Sequence, residues 1–290
     1  MQVPYQYQDF LTNTYDMFNI EGFERFFRGP RPLRLKSKNN ISFIGTAHTF
    51  GCLVDTTYAE LLSKALNLSC LNLSVPGASP EYYLNNDLIL DLINQSKCLV
   101  FQVLPARNSS NEVVKLNRDF LGCHFEGEYS GNNHAFSVYG KVLENYSEDF
   151  IEKLVSQSRQ SYVDACIQLF SKISVPIIGV YFSNRNPAYT LKFDSPATLM
   201  GGFPQFVNDE VVDSLQPYFN SYYEYVSTLG FPSPFINQFT GEKVQIERPD
   251  GLHKNNNYYP SQAMHIELAC MMAKGMYEEF GQKGYWKLER

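Results

Sequence analysis

Three short polar segments each follow an apolar run, and their residue types suit a site that binds or transforms a ligand. They are residues 45–51, 74–79 and 105–111. Hydroxyl, amide, guanidinium and imidazole groups in such segments can hydrogen-bond a substrate or move a proton. The candidate substrate-binding residues are Thr46, Ala47, Thr49, Gly77, Arg107, Asn108 and Asn111, and His48 is the candidate acid or base of the first segment.

A carboxylate and an imidazole stand close together in the run Asp250-Gly251-Leu252-His253. In a catalytic triad the histidine accepts the proton of the nucleophile and the aspartate fixes its tautomer, so Asp250 and His253 are candidate catalytic residues. A plain turn at Asp250-Gly251 explains the same residues. His265 is the alternative functional histidine, although its half-polar, half-apolar neighbours on the helix are typical of the edge of a packed face.

These polar segments need a scaffold, and apolar runs alternate with helical patterns through most of the chain. Short apolar runs predict buried strands, whereas apolar residues spaced three and four apart predict helices. Strands are predicted at 41–44, 70–73, 99–104, 175–182 and 222–226. Helices are predicted at 57–66, 79–95, 148–173, 208–215 and 261–280.

Strands that alternate with helices predict an α/β fold with a mostly parallel sheet. We expect a three-layer, flavodoxin-like domain with about five strands. Ligands of such folds bind beyond the carboxyl ends of the strands. The polar segments and the run at 250–253 are therefore expected to meet in one pocket.

The chain is expected to form a single domain over residues 39–290, preceded by a polar, aromatic-rich arm at 1–38. The arm carries the only dense basic run, from Arg25 to Lys38, which is predicted to be solvated surface. Residues 105–147 are rich in Asn, Ser and Gly. An irregular insertion of that length either covers a functional site or holds elements that periodicity misses.

Composition excludes several classes of protein. The 290 residues include 22 Phe, 20 Tyr and one Trp, which require a packed core rather than disorder. A net charge of −6 and a single basic run argue against nucleic-acid binding. No apolar stretch is long enough to span a membrane, and the first ten residues lack the pattern of a signal peptide.

The cysteines and histidines give no pattern of metal ligands. The six cysteines are scattered without C-x-x-C spacing, which favours buried, reduced thiols in a cytoplasmic protein. Cys123, His124 and His134 match no common zinc spacing. We therefore expect no metal and no cofactor, and a small-molecule or glycan substrate as the partner.

The order of the motifs resembles that of the SGNH (GDSL-type) hydrolase superfamily. Members often carry G-D-S-x-T-x-G, N-x-G-x-x-G, G-x-N-D and D-x-x-H in four successive blocks. The resemblance covers residues 40–112 well and 248–275 loosely. The amino-terminal half is also similar to an uncharacterised bacterial family with an F-R-G-P arm, found here at 27–30, and a later Q-V-x-x-A-x-N-x-S-N, found here at 102–111.

The resemblance implies roles for individual residues. Gly77 matches the glycine of the oxyanion hole, and Asn108 lies near the third-block asparagine although G-x-N-D is broken. Asp250 and His253 match the D-x-x-H acid and base. Ala47 stands where the family has its nucleophilic serine, and a methyl group cannot form an acyl-enzyme.

Three functions stay open on this basis. The first is an SGNH-like transferase or esterase-like enzyme that acts without serine on a glycan or a small-molecule ester. The second is a non-catalytic pseudoenzyme that binds a ligand in the cleft. The third is a sulfotransferase with a nucleotide sulfate donor, although the 45–51 segment lacks the Lys or Arg that a phosphosulfate group favours.

Overall fold

The structure is a computed structural model that describes residues 7–128, 134–248 and 251–282. Its strands, in chain order, are β1 (Met17–Asn19), β2 (Phe26–Arg28), β3 (Asn40–Ile44), β4 (Ser69–Asn72), β5 (Cys98–Gln102), β6 (Val114–Leu116), β7 (Cys123–Phe125), β8 (Ile177–Ser183), β9 (Ser221–Val226), β10 (Ser233–Pro234), β11 (Ile246–Arg248), β12 (Gly251–His253) and β13 (Asn255–Asn256).

The α-helices are α1 (Ala47–Phe50), α2 (Tyr58–Ala65), α3 (Pro80–Leu84), α4 (Asp87–Asn94), α5 (Ala135–Asn145), α6 (Glu148–Ser171), α7 (Pro196–Met200), α8 (Asp209–Leu215) and α9 (Gln262–Gln282). Short 3₁₀ helices cover Tyr7–Leu11 and Gln216–Tyr218. No helix in the described ranges is both long and apolar enough to cross a lipid bilayer.

The central sheet has five parallel strands in the order β4-β3-β5-β8-β9. Counted along the chain, this is the 2-1-3-4-5 order of the flavodoxin-like fold. The prediction of an α/β fold with about five parallel strands is therefore confirmed. The strand order reverses between β3 and β5, and the crevice at such a switch point is where doubly wound sheets bind ligands.

Helices cover both faces of the sheet, because the side chains of each strand alternate between two cores. One core joins β3 residues Ile41 and Phe43 to α2 and α9. The other, larger core joins Ile44 and the β5 residues Leu99 and Phe101 to α4, α5, α6 and α8. The molecule therefore has the three layers that the alternating pattern predicts.

One prediction of secondary structure was wrong. The helix predicted at 79–95 is two helices, because Asn86 caps α4 by accepting a hydrogen bond from the Ile89 N–H. An asparagine that caps the start of one helix interrupts the helix before it, because its side chain bonds the main chain in a non-helical conformation. Of the two possibilities stated for the insertion at 105–147, the structure shows elements that periodicity misses: the β6–β7 hairpin and α5, a helix of 11 residues whose buried face includes Val138, Tyr139 and Val142.

The arm is also more integrated than predicted. Arg28, expected as solvated surface, is 2% exposed. Its guanidinium donates to the carbonyl oxygens of Gly51, Val54 and Asp55 and lies 4.6 Å from the centre of the Tyr15 ring. The guanidinium can be buried because three main-chain acceptors and an aromatic face replace the water that it loses.

Side-chain hydrogen bonds tie the arm to a segment that comes late in the chain. The Gln238 amide donates to the Phe10 carbonyl at 2.7 Å, and its oxygen accepts from the Thr14 hydroxyl at 2.8 Å. The Gln238 N–H donates to the Leu11 carbonyl at 2.8 Å. The arm is thus held in two places, at residues 10–14 by Gln238 and at Arg28 by the carbonyl groups of 51–55.

Candidate functional site

The carboxyl ends of β3 and β5 meet at the switch point, and the side chain of Gln102 lies between them. The β3–β5 register pairs Ile44 with Phe101, so that Gly45 is level with Gln102. A Cβ atom on Gly45 would lie 2.5 Å from Gln102 Oε1 and 2.5 Å from Thr49 Oγ1. Glycine is required at position 45 because the amide packs directly against its Cα.

Gln102 satisfies the backbone of the turn that follows β3. Its Oε1 accepts from the Thr46 N–H at 3.1 Å, the Thr49 N–H at 3.2 Å and the Thr49 hydroxyl at 2.6 Å. Backbone N–H groups can only donate, so the amide oxygen must face the turn and Nε2 must face away. Within the described ranges Gln102 Nε2 has no hydrogen-bond partner.

Further contacts hold the same turn from the neighbouring elements. The Asn72 amide donates to the Thr49 carbonyl at 2.9 Å, and the Tyr58 and Thr49 hydroxyls are 3.0 Å apart. The Tyr83 hydroxyl donates to the Gly45 carbonyl at 2.6 Å. Thr46, the residue before α1, is 3% exposed, and its hydroxyl has no partner among the described residues.

His48 lies inside a box of aromatic rings. Its ring stacks on Phe203 with centroids 3.7 Å apart and meets Phe182, Tyr258 and Tyr259 edge to face. The side chain is 2% exposed, and Nδ1 has no partner in the described part of the chain. Burial, then the charges of His265 and Arg107, hold the pKa of His48 well below its usual value, so the imidazole is neutral.

His265 lies in the α9 layer and is fully buried. Its Nδ1 accepts the Tyr58 N–H at 3.0 Å, and its ring meets Phe182 edge to face with centroids 5.1 Å apart. Burial lowers the pKa of His265 to about 3. These contacts assign it a structural role, because its accepting nitrogen satisfies the first turn of α2.

Ala47 is packed rather than open. It is 7% exposed and belongs to a hydrophobic cluster with Tyr15, Phe50 and Tyr259. The Tyr15 hydroxyl accepts from the Leu53 N–H at 2.8 Å. A residue of the arm and a residue of the segment before α9 therefore take part in the packing around the Ala47 methyl group.

Gly77 and Asn108 lie in contact with each other, and the contact is a structural one. The Asn108 amide donates to the Gly77 carbonyl at 3.4 Å and to the Leu121 carbonyl at 3.2 Å. Gly77 has φ +84, which favours glycine. Asn111 lies elsewhere: its amide donates to Ser158, and its oxygen accepts from the main chain at the start of β6.

The predicted acid and base fall on the hairpin of β11 and β12. His253 is half-buried and pairs with Ile246 across that hairpin. Asp250 lies outside the described residues. Arg107 is half-buried, and its charge acts on His48. The meeting of the two catalytic candidates with the 45–51 turn therefore stays a prediction.

Sequence reasoning missed Gln102, Phe203 and Gln205. Gln205 is 3% exposed; its amide lies 3.1 Å from the Tyr258 hydroxyl, and its Oε1 has no partner within the described ranges. Gln102 did carry a signal, since it is the polar residue that ends an otherwise apolar strand. Phe203 and Gln205 carried none, because they reach the site through an irregular loop after β8.

A family profile matches the amino-terminal part of the chain. The profile of a family described as "Domain of unknown function (DUF6473)" matches residues 3–118. No curated protein matches the sequence.

Several solved structures are similar at low identity. An acetyl xylan esterase (Est2A) from Butyrivibrio proteoclasticus is 13% identical, with a TM-score of 0.40 over 89% of this chain and 67% of that one. A family two carbohydrate esterase from Clostridium thermocellum, solved with cellohexaose, is 12% identical, with a TM-score of 0.39 over 89% and 68%. A putative G-D-S-L lipolytic protein from Desulfitobacterium hafniense is 10% identical, with a TM-score of 0.41 over 81% and 98%. Such likenesses assign neither activity nor substrate to this chain.

Proposed function

We propose that this chain is an SGNH-like protein that binds an uncharged polar ligand, a glycan or a small ester, at the β3–β5 switch point and forms no acyl-enzyme. The observation that carries the proposal is the bonding of Gln102 Oε1 to the Thr46 and Thr49 N–H groups beside Ala47. Serine hydrolysis needs a hydroxyl nucleophile and free donors for the developing oxyanion. This turn offers a methyl group, and two of its donors are already used.

The state of His48 also favours binding over proton transfer. A general base works best when its pKa lies near the operating pH. Burial and neighbouring positive charge hold the pKa of His48 far below that range, so it accepts protons poorly. A neutral imidazole with an unpartnered nitrogen can still hydrogen-bond a ligand.

The remaining polar groups support an uncharged ligand. In the described part of the chain, partners are lacking for Thr46 Oγ1, His48 Nδ1, Gln102 Nε2 and Gln205 Oε1. These groups are neutral donors and acceptors in a nearly water-free setting. A buried charge without an opposite partner costs far more than a neutral polar group, so a hydroxyl or amide of the ligand fits them best.

Two measurements test the proposal. A serine-directed phosphonate should label no residue of 45–51, whereas rapid stoichiometric labelling there would show that Thr46 or Thr49 acts as a nucleophile. Thermal denaturation is then measured with short acyl esters, oligosaccharides, coenzyme A and adenosine 3′,5′-bisphosphate. A ligand at 100 times its dissociation constant adds about 2.7 kcal/mol of stability.

A variant connects any binding to the switch point. His48→Phe keeps a flat ring against Phe203 and removes the nitrogen, so it should weaken an ester or oligosaccharide about tenfold, the effect of one lost hydrogen bond. His134→Phe, at an exposed position before α5, is the matched control. Stabilisation by the bisphosphate alone would replace the proposal with the sulfotransferase alternative.

A further inference from the structure

A second ligand-sized space lies beyond the carboxyl end of β8. It is a cavity of about 810 Å³ built by the loop after β8, by α7 and by the start of α8. Known small-molecule sites have about this volume. The loop 201–207 separates the cavity from His48, because Gly201 and Gly202 line the cavity whereas Phe203 stacks on His48.

Positive charge gathers on one wall of this cavity, around the ring of Tyr189. The guanidinium of Arg185 lies 4.3 Å from the ring centre and that of Arg159 lies 5.8 Å from it. Both arginines are half-buried, and Lys192 lines the same cavity with its side chain exposed. Among the described residues, none of these three cations makes an ion pair.

Arg185 supplies charge to the cavity but no free donor. Its N–H groups donate to the carbonyl oxygens of Gly202, Asn186, Pro187, Pro204 and Val207. It therefore fixes the dividing loop, and its pKa is lowered mainly by burial. Lys192 remains as the cation that can contact a ligand, and Thr190 lines the same cavity.

Acidic groups line the same cavity, but they are exposed to water. Asp209 and Glu210 lie in the first turn of α8, and the charge of Asp209 acts on Arg185. Water screens exposed charges, and the N-terminal end of a helix offsets negative charge. Half-buried guanidiniums are screened less, so the field near Tyr189 stays positive.

We propose that this cavity binds a ligand through an anionic group, a phosphate or a sulfate, held at Lys192 in the field of Arg185 and Arg159. The site is separate from the switch point, and it holds whether or not the proposal for that point is correct. The volume leaves room for an organic part beyond the anionic group.

Calorimetric titration of the full chain with glucose 6-phosphate, inorganic phosphate and glucose tests the proposal. The two phosphates should bind, with affinity that falls as salt rises from 0.01 to 0.5 M, and glucose should not. Tighter binding of glucose 6-phosphate would identify an organic phosphate as the ligand type, and equal binding would identify the free anion. Glucose binding as tightly as its phosphate would overturn the proposal.

Three variants make the assignment specific. Lys192→Met should weaken phosphate binding at least tenfold, whereas Lys274→Met, an exposed lysine of α9, should leave it unchanged. Asp209→Asn should strengthen binding severalfold, because it removes a repelling charge. Unchanged affinity in Lys192→Met, or weaker binding in Asp209→Asn, would show that no anionic group is held at this wall.

Discussion

The turn after β3 and the loop after β8 lie at the same edge of the same sheet, yet they differ in almost every physical property. The 45–51 turn is buried, and Gln102 satisfies its main-chain donors. The 184–210 loop borders a cavity of about 810 Å³ and keeps cations that make no ion pair among the described residues.

The difference shows that position on a fold does not decide what kind of ligand a region can bind. The switch point, where the topology favours a site, offers buried neutral groups that lack partners among the described residues. The loop after β8 lies away from that point, yet it borders a cavity and carries cationic side chains near Tyr189. Predictions about the two regions should therefore diverge, with large effects on stability at the turn and small effects at the cavity.

The largest expected effect is a loss of stability in acid. His48 and His265 are neutral in the folded protein, and their pKa values lie below those of the unfolded chain. The unfolded state therefore binds more protons below about pH 6.5, so stability is complete above that pH and falls as the pH decreases. At roughly 1.4 kcal/mol per pH unit, His265, whose folded pKa is about 3, removes about 3 kcal/mol by pH 4.5, and His48 adds a loss of the same sign.

His48→Phe separates this contribution from that of the carboxylates. The variant keeps the stack on Phe203 but no longer titrates, so the stability lost between pH 6 and pH 4.5 should be smaller than in the parent protein. Urea unfolding at several pH values gives the two slopes. If stability fell with pH at the same rate in both proteins, His48 would be charged in the folded state, and the 45–51 turn would be accessible to water.

Gln102→Leu should be the most damaging substitution at the turn. It leaves the Thr46 and Thr49 N–H groups without their acceptor, at about 1–3 kcal/mol for each unsatisfied group. We expect a loss of about 3–5 kcal/mol in urea unfolding. Gln168→Leu, on the exposed face of α6, should change stability by less than about 0.5 kcal/mol. A loss of less than about 1 kcal/mol in Gln102→Leu would show that water reaches the turn and replaces the missing acceptor.

Two glycine substitutions compare the tight turn with an ordinary helix. Gly45→Ala places a methyl group 2.5 Å from Gln102 Oε1, and the forced shift should cost about 2–3 kcal/mol. Gly140→Ala, inside α5, meets only Pro196 at 3.8 Å and should stabilise the protein by about 0.5–1 kcal/mol. Thermal unfolding should therefore move in opposite directions for the two variants.

The smallest expected effect is at the cavity wall. Lys192→Met should change the stability of the ligand-free protein by less than about 0.5 kcal/mol, because the side chain is exposed and makes no ion pair with a described residue. Urea unfolding in phosphate-free buffer measures this. A loss of more than 1 kcal/mol would mean that Lys192 supports the fold rather than faces a ligand.

The sheet was predictable from the sequence because its strands are short apolar runs between turn residues. The prediction at 41–44 corresponds to β3 at Asn40–Ile44, and that at 175–182 to β8 at Ile177–Ser183. The helix α5 was missed because only one face of it is buried and its flanks are polar. Local pattern is informative where burial is continuous and much less so where one face is wet.

The candidate site was less predictable, because its contacts join residues that are distant in sequence. His48 looks like an exposed turn residue until Phe203 and Tyr258 are placed around it. Arg28 looks like one member of a basic run until three carbonyl groups are found at its guanidinium. Burial of a polar side chain depends on partners that no local window contains.

The contacts between the arm and Gln238 set an order of events during synthesis. Thr14 and Gln238 are 224 positions apart. A ribosome that adds roughly 5–20 residues per second needs about 10–45 s to reach Gln238 after it has added Thr14. During that interval the arm lacks its partner and Tyr15 lacks the Tyr259 side of its cluster. The arm emerges before its late partners and is therefore among the last segments to be locked in place, and a nascent chain should remain sensitive to protease at 9–15 until residue 259 has left the ribosome.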